Sequence, residues 1–273
     1  MKGILLSTII LLSVNLNLFA EFRIKYSGEP LPQKYKDKIE VMLQTMYNFY
    51  SAIDSVTESE VELMVFKTQK EGYRYMRSLY PDDQRFIERS GDKITGGSLG
   101  GIYIRKYNRA VILGTEQGVD KALELIYHEL NHHFIRGIFK KRYAPVWLNE
   151  GLSEYFENLE IKGKKAKLGN MPSHDKGRIR TLYMLNDFQL EEYLNLTYNE
   201  FSNKYHTNGS VYYSIAHVIT AVLLENMSTE KFARLIKLMD NRDTEDNMAQ
   251  MINDNYKGGL QDLEKDILKF VEK

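Results

Sequence analysis

The chain has 273 residues, 43% of them hydrophobic and 27% charged, with 37 basic and 37 acidic side chains. That length and apolar content suit one globular domain with two lobes, and a balanced charge with no basic stripe speaks against nucleic acid or an anionic membrane surface as a partner. The absence of cysteine excludes disulfides, thiol chemistry and a cysteine-based zinc site.

Residues 1–20 read as a signal peptide. Lys2 supplies the positive start, Ile4 to Val14 an apolar stretch of the expected length, and Leu18-Phe-Ala20 a cleavage site. The stretch is too short, and too diluted by Asn15 and Asn17, to read as a membrane span. The expected location is therefore secreted or periplasmic, without stable membrane association; an anchor formed by an uncleaved N-terminal segment is the alternative. Nothing in the sequence sets the oligomeric state.

Residues 21–138 are expected to form a sheet-and-helix lobe. Phe22 to Tyr26 alternates as a strand does, and Val61 to Phe66 reads as a second strand. Lys34 to Phe49 has helical spacing of apolar residues. Gln69 to Leu79 reads as a helix that stops before Pro81, because the residue preceding a proline disfavours helix. Gly101 to Arg105 and Arg109 to Leu113 flank Lys106-Tyr-Asn108 as a hairpin. Val119 to Ile138 is a long helix with Leu123, Ile126, Leu130 and Phe134 on one stripe and Leu125 and Ile135 on another side. A helix apolar on two sides lies between layers.

Residues 139–273 are expected to form a helical lobe. Leu148 to Leu159 reads as a short helix after Pro145, and the basic cluster from Lys162 to Lys167 reads as a solvated turn. From Gly177 onward the pattern is helical. Gly209-Ser210 opens a helix reaching Leu224, Ser228 caps another, and Thr244 to Tyr256 and Leu260 to Val271 complete the lobe. The fold class is α+β.

The chemistry is concentrated in His128-Glu-Leu-Asn-His132. Only six histidines occur in the chain. Residues four apart on a helix share a face, about 6 Å apart along the axis. Both imidazoles can therefore hold one zinc ion, with Glu129 beside them to hold a water. Glu150, within Trp147-Leu-Asn-Glu-Gly-Leu-Ser-Glu-Tyr155, offers the third ligand. Two histidines and one glutamate leave a fourth zinc position open, as a catalytic site requires. One Zn2+ per chain is expected.

Glu154 lies one turn past Glu150. It is the candidate carboxylate behind His128, since zinc-binding histidines donate their other ring nitrogen to such a partner. Glu157 and Glu160 are expected at the surface. His133, about 100° round the helix from His132, is expected to be packed away from the metal face. Thr95 to Gly101 is glycine-rich but lacks the Gly-Lys-Ser/Thr of a phosphate loop. It reads either as a flexible hairpin bend or as an edge strand able to pair with an extended peptide. Peptide hydrolysis needs a donor aimed at the developing oxyanion. Tyr213 is the candidate, followed by Tyr212 and His206.

At these residues the chain resembles the gluzincin clan of zinc peptidases, which includes thermolysin and aminopeptidase N, and in particular the small bacterial peptidase MA-like domains. The resemblance runs from Gly101-Ile-Tyr103 through the two motifs to Tyr213-Ser-Ile-Ala216, roughly 115 residues. It implies a zincin-like fold: a small mixed sheet plus the active-site helix in the first lobe, and the third ligand in the helical second lobe. It also implies that His128, His132 and Glu150 are the zinc ligands. By the same resemblance Glu129 is the general base, Glu154 the carboxylate behind a ligand, and Tyr213, with Ala216 three positions on, the oxyanion donor. The 17 residues between His132 and Glu150 are one fewer than in the aminopeptidase branch, which implies a trimmed loop. The Gly-x-Met-Glu-Asn segment that holds a substrate's free amine in that branch is missing. The expectation is an exported zinc metallopeptidase acting on a peptide or protein substrate, with endopeptidase action favoured. An aminopeptidase and a catalytically inactive zinc-binding scaffold are the alternatives.

Overall fold

The computed structural model describes residues 23–56, 60–83, 100–116, 118–168, 171, 173–185, 188–208, 211–243 and 247–272. The signal peptide expected at residues 1–20 lies outside them, as do residues 95–99 of the glycine-rich stretch and Gly209-Ser210. No helix among the described residues is long and apolar enough to cross a membrane.

The fold is mixed α+β. Strands β1 (Arg23–Gly28), β2 (Glu60–Val65), β3 (Gly101–Ile104) and β4 (Arg109–Ile112) form a sheet in the order β1-β2-β4-β3. β1, β2 and β4 are parallel, while β3 pairs antiparallel with β4, Gly101 opposite Ile112 and Tyr103 opposite Ala110. Between β3 and β4 the chain turns through a short 3-10 segment that ends at Asn108 in the left-handed conformation, with φ 52°. Asparagine tolerates that conformation where most residues do not.

Alternation along the strands sends side chains to two faces. Val61, Leu63, Val65, Ala110 and Ile112 pack on one face against α1 (Gln33–Ser51) and α3 (Val119–Ile138). Val111, Leu113, Ile102 and Ile104 pack on the other against Tyr73 and Met76 of α2 (Gln69–Leu79). α2 begins with a capping box in which the Thr68 hydroxyl accepts from Glu71 N–H and the Glu71 carboxylate accepts from Thr68 N–H. Burial of α3 on two sides, legible in its two apolar stripes, follows from its place between the sheet and the helical half.

That half begins with α4 (Val146–Glu157). Pro145, in an extended conformation, presents a carbonyl that accepts from Leu148 and Asn149 N–H, so the helix starts two residues earlier than expected. The basic stretch expected as a turn is instead part of a hairpin: β5 (Leu159–Lys162) pairs with β6 (Lys165–Leu168), turning at Gly163 with φ 61°. Each strand is only four residues long, and Lys162, Lys164, Lys165 and Lys167 obscure the alternation of Leu159, Ile161, Ala166 and Leu168. The helices α5 (Ser173–Met184), α6 (Leu190–Leu194) and α7 (Tyr198–Asn208) lead to α8 (Val211–Asn226). α9 (Thr229–Asn241), α10 (Met248–Asn255) and α11 (Gly259–Glu272) follow. Ser228 caps α9 as expected, accepting from Lys231 N–H, whereas α10 starts at an Asn247 cap rather than at residue 244.

α8 is the apolar centre of this half, buried along nearly its whole length. It lies so close to α4 that a Cβ on Gly151 would collide with the Ala216 carbonyl and the Thr220 hydroxyl. Only glycine permits that approach. One continuous core runs from Leu31 through Phe134 and Trp147 to Val271, joining the sheet side to the helical side.

Candidate metal centre

α3 and α4 bring three ligand groups together. His128 and His132, one turn apart, place their rings 4.9 Å apart between centroids. Glu150 projects from α4 so that its Oε2 lies 3.4 Å from His128 Nε2 and 3.8 Å from His132 Nε2. One atom from each residue lies within 4.8 Å of the others, and the group is largely buried. This group can hold a metal ion. For a tetrahedral ion with ligand bonds of about 2.1 Å, neighbouring ligand atoms stand about 3.4 Å apart, so the two separations between Glu150 and the imidazoles fit with little adjustment. The donor set, two imidazoles and a carboxylate with no sulfur, suits zinc among borderline cations.

The remaining atoms of each ligand are tied down. Asn149 Nδ2 donates to Glu150 Oε1 at 3.0 Å, leaving Oε2 toward the histidines. Asn149 Oδ1 lies 3.1 Å from His132 Nδ1. Behind His128 stand two carboxylates, the expected Glu154 and also Glu157. Glu157 Oε2, not Glu154, makes the close contact with His128 Nδ1, at 3.0 Å; Glu154 Oε1 lies at 3.8 Å. Glu157 is two turns from Glu150 on α4, and the path of α4 across α3 brings that second turn under His128. It is therefore not a surface residue: its side chain keeps only 16% exposure, and Lys121 Nζ stands 3.6 Å from its other oxygen. Glu160 is exposed, as expected.

The charges answer one another. Burial works against charge on His128, but Glu150 and Glu157 outweigh it and push its pKa well above the ordinary value. Burial also opposes ionisation of Glu150, yet the two histidines and Asn149 hold its pKa below the usual range. Burial lowers the pKa of His132.

Glu129 sits beside this group with 6% exposure. Burial first, then repulsion from Glu150 and Glu157, pushes its pKa up to about 8, although His128 and a hydrogen bond from the Tyr103 backbone N–H act the other way. Its carboxylate reaches β3, the last strand of the sheet among the described residues. It fits there because residue 101 is glycine: a Cβ would lie 2.8 Å from Glu129 Cγ and 2.9 Å from Oε1. Gly100 in turn makes room for Leu125.

Tyr213, in the first turn of α8, has its ring 6.5 Å from that of His128 and 5.2 Å from Phe201. The close approach of Gly151 to Ala216 lies one turn further along α8 from Tyr213. Tyr212 instead packs at a tilt against Tyr193, whose hydroxyl donates to the Tyr212 carbonyl. His206 falls within α7, but its side chain lies outside the described residues. His133 is packed away from the metal face, as expected, with Nδ1 2.6 Å from Asn108 Oδ1. Burial and the nearby Arg136 lower its pKa to about 4.

Among known proteins, no family model, no curated protein and no solved structure matches the chain. The likeness to gluzincins therefore rests on the motif residues and on the chemistry of the site.

Proposed function

We propose that the protein is an exported zinc metallopeptidase of gluzincin type, with a zincin-like arrangement of its two halves. It would hydrolyse internal peptide bonds of a peptide or protein substrate. The observation that carries this reading is the pairing of a three-ligand group spaced as a tetrahedral ion requires with a buried glutamate that is not itself a ligand. A structural metal site has no need of such a glutamate.

His128, His132 and Glu150 would hold the zinc. When bound, zinc supplies Lewis acidity that polarises a carbonyl and lowers the pKa of water. The Glu129 carboxylate would accept a proton from the attacking water as its oxygen bonds to the carbonyl carbon. It would pass that proton to the amide nitrogen as the C–N bond breaks. The Tyr213 hydroxyl would donate to the carbonyl oxygen as negative charge builds there. β3, the last strand of the sheet among the described residues, would offer an extended peptide a backbone to run beside. Internal cleavage is favoured because no segment resembling an amine-holding Gly-x-Met-Glu-Asn occurs in the sequence. Export rests on the signal-peptide pattern of residues 1–20.

The test uses purified protein lacking residues 1–20. Elemental analysis should find about one zinc per chain. Internally quenched peptides with blocked ends should be cleaved, and a chelator should stop the cleavage. No bound zinc, together with no rise in melting temperature on adding it, would overturn the metal reading. Zinc binding without cleavage of any member of a peptide library would point to a scaffold, and cleavage only of free N-termini to an aminopeptidase.

A further inference from the structure

His132 rests on a chain of buried hydrogen bonds that the reaction above does not use. Ser153, on α4 and fully buried, has its Oγ 2.9 Å from the Asn149 carbonyl, 3.0 Å from Asn131 Nδ2 and 3.2 Å from His132 Nδ1. Asn131, on α3 and equally buried, accepts through Oδ1 from the Tyr50 hydroxyl of α1 at 2.6 Å.

The direction of every bond follows from what each group can do. A hydroxyl has one proton, and a carbonyl can only accept. The Asn149 carbonyl therefore takes the Ser153 proton, and the other two neighbours of Oγ must be donors. Asn131 meets that demand with its amide NH2, an orientation that the Tyr50 hydroxyl holds by donating to the amide oxygen. His132 can meet it only by carrying its proton on Nδ1. A second line gives the same result. The Glu150 carboxylate accepts from Asn149 Nδ2, so the opposite end of that amide, Oδ1, faces His132 Nδ1 and also needs a donor.

We propose that Tyr50, Asn131 and Ser153 form a positioning chain that holds His132 as the Nδ1–H tautomer, with its Nε2 lone pair turned to the metal. This rests on the reading of His132 as a metal ligand. The chain anchors that ligand to α1, a helix that contributes nothing else to the site. It also makes the two histidines unequal: a carboxylate backs His128, whereas only neutral groups back His132. Outer partners of this kind orient metal ligands and tune their basicity.

The test has two readouts. In the metal-free parent, imidazole nitrogen NMR should show His132 protonated at Nδ1; protonation at Nε2 would overturn the proposal. In competition with a chelator, Ser153→Ala should bind zinc about 10-fold more weakly than the parent; the Asn131 amide loses its acceptor and the melting temperature falls, so affinity is compared well below that transition. Tyr50→Phe keeps the ring packed between Phe134 and Phe156 and should fall between the two. If Ser153→Ala does not fold, Tyr50→Phe decides the matter alone. Parent-like zinc affinity in the folded variants would overturn the proposal. A parent that binds no zinc removes the metal reading instead, and the tautomer of His132 still reports on the hydrogen-bond chain.

Discussion

The Glu129 carboxylate occupies the space that a side chain on residue 101 would fill. A Cβ there would lie 2.8 Å from Glu129 Cγ, so one residue on β3 dictates the position of one on α3. Gly101→Ala should leave metal binding intact, because the nearest atoms to that Cβ all belong to Glu129, and should displace the carboxylate. A displacement of about 1 Å can cost about 100-fold in rate. Steady-state kinetics beside zinc titration would check this; parent-like turnover would show that Glu129 works from another position.

Glu129→Gln keeps the shape of the side chain and removes its basicity. Zinc content should persist, and hydrolysis should fall by about 100- to 10,000-fold, the usual range for a lost general base. A variant that turned over like the parent would relocate the base.

Three glutamates on α4 should separate in metal affinity. Glu150→Ala removes a ligand and should abolish stoichiometric zinc. Glu157→Ala leaves the ligands but frees His128 Nδ1, and should weaken binding by about 10- to 100-fold. Glu154→Ala, whose carboxylate stands further off at 3.8 Å, should weaken it less. A larger loss at Glu154 than at Glu157 would reverse the assignment drawn from the contact distances.

Zinc binding should depend on pH through His128. Glu150 and Glu157 hold a proton on this residue above the ordinary pKa, and the metal must displace it. Affinity is then constant above the raised pKa and falls about tenfold per pH unit below it, with the onset above about pH 6.5. Glu157→Gln removes one of the three carboxylates, Glu150, Glu157 and Glu129, that favour the proton, so the onset should move to lower pH. Chelator titrations across the range measure both; an unmoved onset would mean that Glu157 does not hold the proton.

Tyr213→Phe keeps the ring beside His128 and Phe201 and deletes the hydroxyl. Turnover should drop by about 100- to 1,000-fold with little change in KM, since the donor is needed only when charge develops. Tyr212→Phe, on a ring engaged with Tyr193 and Phe201, should be nearly silent. The reverse pattern would exchange their roles, and silence in both would turn attention to His206.

What the sequence discloses here follows the range of the forces involved. The bounds of α3, Val119 to Ile138, were legible because apolar spacing and burial on two sides are properties of one segment. His128 and His132 were legible because a four-residue spacing is a local fact of helix geometry. The partner of His128 was not: choosing Glu157 over Glu154 depends on how α4 crosses α3. The pairing of Tyr50 with Asn131, 81 residues apart, depends on where α1 packs. The β5–β6 hairpin was missed because its strands are only four residues long and four lysines between residues 162 and 167 read as a solvated turn.

The contact between Gly151 and Ala216 divides the molecule mechanically. Glu150 precedes the glycine on α4, and Tyr213 lies one turn before the alanine on α8. With no side chain between the two backbones there is no compressible layer through which these helices could slide. The third ligand and the tyrosine therefore move as one rigid jaw. The wall that faces them is β3, where Gly101 leaves the space that Glu129 fills.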